Sequence, residues 1–140
     1  LFTDLVDGEG SALTEEGTWM LGEKPGLVCV FEDGEPLYIE AARNISKTIQ
    51  CYIKGGSECD LRTMVGLVEM GASMKNAAQR AKSGPLAIRI SKRVEKFRYR
   101  VAPAPAKTME QLADAFNVVA DTRYAGPSAL ANRALDALPR

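Results

Sequence analysis

Histidine is absent, and cysteine is scarce: Cys29, Cys51 and Cys59 are the three in 140 residues. An odd count without paired spacing argues against a disulfide framework. Four soft ligands for a structural zinc are not available. Without a histidine base, a cysteine nucleophile has no ordinary activator. The three thiols are therefore expected to be reduced and metal-free, and no cofactor is indicated; Cys29 in a strand and Cys51 on a helix read as small buried hydrophobes. Long apolar runs are also missing. None approaches the ~20 residues of a membrane span, so no transmembrane segment is expected. No signal-peptide core, internal repeat or low-complexity tract is visible. Aromatics make up 6% of the chain, with Trp19 the one tryptophan.

Neither sign of charge dominates, and the formal net charge is zero. The distribution is uneven all the same. Residues 1–40 hold ten acids and one base, Lys24, whereas residues 75–100 hold nine bases and one acid, Glu95. Such asymmetry suits nucleic acid or an acidic partner. It equally suits two segments of one domain lying against each other. A 46% hydrophobic content in this length supports one domain with a modest core.

The most informative stretch runs from Gly26 to Ile49. A β-branched run, Gly26-Leu27-Val28-Cys29-Val30-Phe31, precedes an Asp33-Gly34 turn and a second run, Leu37-Tyr38-Ile39. That pattern predicts a hairpin. Asn44 is a good N-cap, and Ile45, Ile49, Tyr52 and Ile53 form one stripe of a helix over 44–53. Lys54-Gly55-Gly56 ends it. Ser57 and Asp60 have capping-box spacing for a second helix reaching Met70, with Leu61, Met64, Val65 and Val68 inward. A short helix is expected over 74–81. Leu86–Ile90 and Lys96–Val101 both read as strands able to pair. In the second, Phe97, Tyr99 and Val101 face the core, while Lys96, Arg98 and Arg100 face water. Thr108 with Gln111 predicts a capped helix over 109–120, with Leu112, Phe116 and Val119 inward. Ser128 opens a last helix whose stripe is Leu130, Ala131, Ala134, Leu135 and Leu138.

The hairpin followed at once by a helix resembles the GIY-YIG nuclease domain, whose first strand carries Gly-Ile-Tyr and whose second carries Tyr-Ile-Gly. Gly26 matches the first glycine, and Tyr38 and Ile39 match the second tyrosine and isoleucine. Asn44 and Ile45 match the helix start. Arg123-Tyr124-Ala125-Gly126 resembles the family's closing Arg-Tyr-Asn-Gly. The departures fall on the chemistry. Val28 stands at the first tyrosine, Glu40 at the closing glycine, and Thr48 where the catalytic arginine is placed. Asp114 is nearest to the metal-binding glutamate, with Glu110 the other candidate. Valine carries no proton, threonine cannot offset a phosphate's charge, and Glu40 repels one. Losing one preorganised charge partner typically costs ~100- to 1000-fold.

The resemblance implies an α+β fold: a small antiparallel sheet flanked by helices over residues 25–126. An N-terminal arm (1–24) and a C-terminal helical tail (127–140) extend it. The expected function is non-catalytic, a structural or binding subunit of a larger protein assembly on a degenerate nuclease frame. Trp19, Leu130, Leu135 and Leu138 are the candidate partner contacts, although Trp19 also suits an anchor on its own domain. Two alternatives stay open. One is nucleic-acid binding through Arg89, Lys96, Arg98 and Arg100, with Lys92 and Arg93 nearby; a solvated edge guarded by cations explains the same residues. The other is a divergent metal-dependent nuclease using Tyr38 and Asp114, which otherwise read as a core tyrosine with a polar tip and a surface carboxylate. The chain starts at Leu1 and reads as a processed product or part of something longer. An intracellular setting is expected, with a plastid or mitochondrion admitted after removal of a presequence.

Overall fold

The computed structural model describes Phe2, Leu5 and residues 10–14, 21–56 and 59–136. The fold is α+β: a four-stranded antiparallel sheet with six helices among the described residues. The strands are β1 (Ser11–Ala12), β2 (Gly26–Glu32), β3 (Glu35–Ala42) and β4 (Arg98–Pro103), in spatial order β1-β4-β2-β3. The helices are α1 (Ile45–Lys54), α2 (Asp60–Glu69), α3 (Ala77–Lys82), α4 (Pro85–Val94), α5 (Met109–Ala120) and α6 (Pro127–Asp136).

The hairpin forms as expected. Asp33 and Gly34 both adopt positive φ, the backbone a tight two-residue turn needs. Tyr38 pairs with Val30, Ile39 with Cys29 and Glu40 with Val28, and a register shift falls between Val30 and Phe31. Gly26 has a packing reason to be glycine. A Cβ there would lie 2.5 Å from the Ala102 carbonyl oxygen and 2.7 Å from Ile45 Cδ1. α1 starts where Asn44 Oδ1 accepts from the Lys47 amide at 3.0 Å. Its Ile45, Ile49 and Tyr52 are buried, each aliphatic stabilising by roughly 1.5–3 kcal/mol relative to exposure.

Both faces of the sheet are covered. On one, Val28, Val30 and Tyr99 join Ile49, Tyr52, Leu61, Ile90 and Val94 in the larger core. On the other, Leu27, Cys29, Phe31, Ile39 and Ala102 pack with Met109 and Ala113 of α5. Several expectations are corrected by this arrangement. Leu86–Ile90 is helical, so it forms no hairpin with β4. Pro85 supplies the first helical position after Gly84, and Leu86, Ile90 and Val94 make one buried stripe at four-residue spacing. β4 starts at Arg98, and Lys96 sits in the preceding turn. On its second face Arg98 is exposed and Arg100 half-buried, while Ala102 is buried in the smaller core. In α5 the buried positions are Met109, Ala113 and Asn117, while Leu112 and Phe116 are half-buried and Val119 is 69% exposed. Neither Thr108 nor Cys59, the observed N-cap of α2, makes a side-chain cap bond. Ser57 lies outside the described residues.

The N-terminal segment contributes to the fold. Ser11 and Ala12 pair with Tyr99 and Arg98. Leu5 and Leu13 are buried, and Phe2 meets the Phe116 ring at 5.1 Å. The opposite edge, β3, is closed differently. Arg123 and Tyr124 donate backbone N–H groups to the Pro36 and Leu37 carbonyls at 3.3 and 2.9 Å. Asn117 clasps Ile39, accepting from its N–H at 3.0 Å and donating to its carbonyl at 2.8 Å. No helix among the described residues is long and apolar enough to cross a membrane.

Candidate functional site

The hairpin and the two helices beside it gather most of the family-like positions. Tyr38 and Glu40 alternate along β3, Thr48 lies on α1, and Asp114 lies on α5. Tyr38, Glu40 and Asp114 line one depression of about 550 Å³. Glu40 and Thr48 line a second of about 380 Å³. Glu40 and Asp60 border both. Val28 is the exception. It is wholly buried beneath the sheet surface, opposite Glu40. A side chain there reaches no substrate.

The larger depression carries four carboxylates, Glu40, Asp60, Glu110 and Asp114, and no lysine or arginine among the described residues that line it. Burial pushes the Tyr38 phenol above its ordinary range, and the charges of Glu40, Asp60 and Asp114 push it further. It stays protonated at neutral pH. Burial raises Glu40 to about 7, against the hydrogen bond from Tyr52, whose hydroxyl donates to Oε1 at 2.6 Å. No group of three or more Cys, Asp or Glu side chains suited to a metal ion occurs among the described residues. A phosphodiester entering this depression meets carboxylates, and no cation among the described residues lines it to offset its charge.

The basic residues do not form one face. Arg89 and Lys92 are exposed on α4, which packs on the larger core, and Lys96 is exposed in the turn after it. Arg98 and Arg100 stand opposite Phe31 and Cys29, on the side of the other core. Arg98 donates to the Gly10 carbonyl at 2.8 Å, and Arg100 is half-buried. The acidic and basic segments do meet among the described residues. Arg93 donates to both carboxylate oxygens of Glu32 and reaches Glu69 at 2.6 Å, while its guanidinium lies 4.8 Å from the Phe97 ring centroid. The hydrogen bond from Arg93 holds Glu32 below the usual carboxylate range.

Of the candidate partner contacts, Leu130 is 53% and Leu135 64% exposed on α6. Trp19 and Leu138 lie outside the described residues. Leu130 and Val118 form an apolar rim to the larger depression.

Three features escaped the sequence reading. Asn117 is one: a lone amide on the 109–113–117 stripe is a signal that could have found it. Arg62 is another, 1% exposed. It donates to the carbonyls of Tyr52, Ala81 and Ala87 at 3.1, 3.5 and 2.8 Å. No local pattern announces it. The third is that Cys51 and Cys59 line the same depression, beside Glu40 and Asp60. All three cysteines are free, with Cys29 and Cys59 buried; Cys51 is half-exposed, contrary to the buried role expected of it.

No family model matches the chain, and no curated protein or solved structure matches it.

Proposed function

We propose that this chain is a non-catalytic structural or binding subunit of a larger protein assembly, built on a frame that resembles the GIY-YIG domain. One observation carries the reading. The depression where the resemblance would put phosphodiester chemistry is lined by four carboxylates and by no cation among the described residues. Tyr38 is held protonated there by burial and neighbouring acids, so it supplies no nucleophile. Thr48 offers no charge to a phosphate, and Val28 is out of reach.

The partner surface in this reading is the apolar rim formed by Val118 of α5 and Leu130 of α6, with Leu135 exposed farther along α6. All three are more than half exposed, and apolar side chains clustered on neighbouring helices mark interaction sites more often than scattered ones do. The test is affinity capture from an extract of the source cells. The unaltered chain is expected to retain a defined set of proteins, and Leu130→Asp/Leu135→Asp is expected to lose it with the melting temperature unchanged. Retention in that variant, with loss in Arg89→Glu/Lys92→Glu, would transfer the role to the basic helix and to an acidic or nucleic-acid partner.

A further inference from the structure

We infer that the cleft between α2, the turn after it and α6 is a binding site for a medium-chain aliphatic carboxylate, whose head meets Arg133 and whose chain lies on Leu67, Val68 and Met74. Two local features build the cleft. At the end of α2, Gly71 takes φ of 69° and the Ala72 amide donates to the Gly66 carbonyl at 2.9 Å. The chain is turned back, and Ala72 and Met74 stand beside Leu67 and Val68. On the other side, the Asp121 carboxylate accepts from the Ser128 amide at 2.9 Å and from its hydroxyl at 2.6 Å, which fixes the start of α6. Arg133 of α6 then reaches α2, where its Nη1 donates to Met64 Sδ at 3.6 Å. The space left between them is about 550 Å³, a volume suited to a small molecule.

Charge decides the head group. Arg123 and Arg133 line the cleft, and no carboxylate does among the described residues. Arg123 is already neutralised, meeting Glu35 at 2.6 Å and Glu32 at 3.7 Å. Arg133 is not. It is half-buried, and its partners among the described residues are the Tyr124 carbonyl, at 2.5 Å, and the Met64 thioether. Both are neutral, and a thioether is a weak acceptor. Arg133 Nε is buried and makes no hydrogen bond. One uncompensated cation calls for one negative charge. When Nη1 exchanges the sulfur for a carboxylate oxygen, a weak bond gives way to a charge-assisted one. A phosphate dianion brings a second charge that no further uncompensated cation meets among the described residues of the wall.

The rest of the wall sets the body of the ligand. Leu67, Val68, Ala72, Met74 and Ala129 are aliphatic, and no aromatic ring lines the cleft among the described residues. Val68 and Met74 are exposed, so a hydrocarbon chain laid over them removes apolar surface from water. The unbranched Met74 adapts to its shape. Leu130 of the same helix borders the acidic depression instead, which keeps this cleft distinct from it.

The test is an NMR titration of the full chain, labelled at its methyl groups, with sodium octanoate and separately with octan-1-ol. Octanoate is expected to bind saturably, to shift the Val68 and Met74 methyl signals and to give NOEs from its chain to both. Octan-1-ol keeps the chain and lacks the charge, and is expected to bind about tenfold more weakly or worse. Arg133→Gln is expected to weaken octanoate by about the same factor and to leave octan-1-ol unchanged. Val68→Asp is expected to weaken both. Equal affinity for the acid and the alcohol in the unaltered chain would overturn the inference. So would the absence of a saturable shift, or NOEs confined to other methyl groups. The titrations of the unaltered chain decide the matter even where a variant folds poorly.

Discussion

At Glu40 burial and hydrogen bonding act in opposite directions. Burial disfavours the carboxylate, the Tyr52 hydroxyl favours it, and burial wins, leaving the group at about 7. The folded form therefore holds a proton that the unfolded chain releases near the ordinary glutamate value of 4.5. Between those two values the folded state binds more protons, so stability falls as pH rises. The contribution is fully present below about 4.5 and is lost as pH passes through about 7. A tenfold difference in proton affinity between the two states corresponds to about 1.36 kcal/mol, which makes the contribution roughly 3 kcal/mol. Glu40→Gln keeps an oxygen for Tyr52 and removes the charge. It is expected to leave stability at pH 5 unchanged and to raise it at pH 8 by about 1–3 kcal/mol, read from urea unfolding at the two pH values. Residues whose role is set within one turn of chain were legible beforehand. Asn44 caps a helix starting one residue later. Glu40 was legible as a misplaced charge, but not as a group titrating near neutrality, because that depends on a partner twelve residues away and on solvent exclusion around both.

Edge closure is the work of single residues acting on whole elements. Asn117 replaces the missing neighbour of β3 by meeting both peptide groups of Ile39, and its Oδ1 also accepts from Thr122 Oγ1 at 2.7 Å. An exposed strand edge is a template for unwanted pairing, and this one is occupied from within. Asn117→Ala strands a buried donor and acceptor; a loss of about 2–4 kcal/mol is expected, together with faster amide exchange at Ile39 by NMR. Arg62 does for the helices what Asn117 does for the strand. Its fork ties the end of α1 to α3 and α4 through three carbonyls. Lysine lacks the planar fork, so Arg62→Lys is expected to cost roughly 3 kcal/mol and to lower the cooperativity of thermal unfolding. The error over Leu86–Ile90 belongs to this scale as well. Leu-Ala-Ile-Arg-Ile alternates over five residues and mimics a strand. The deciding signal lay just outside that window, in Pro85 at the front and Val94 at the back. The inward face of α5 was misjudged for a related reason: a polar side chain was not counted as core, yet Asn117 is 5% exposed.

Across the whole molecule the sheet separates two cores, and that layering decides what the charged residues can do. The hairpin, α1, α5 and β4 were each visible as periodic patterns, so the α+β class was legible. The separation of the basic residues was not, since it depends on where the helices dock. Arg98 and Arg100 stand on the opposite side of the sheet from α4, which carries Arg89 and Lys92. The docking of α5 on β3 also sets Asp114 and Glu110 against Glu40, which makes the central depression acidic. A non-catalytic role requires that this depression be unable to handle a phosphodiester. The most direct measurement is cleavage of labelled single- and double-stranded DNA and RNA with magnesium or manganese. Intact substrate with both metals, for the unaltered chain and Tyr38→Phe alike, is the expected result. Metal-dependent cleavage that disappears in Tyr38→Phe would contradict it.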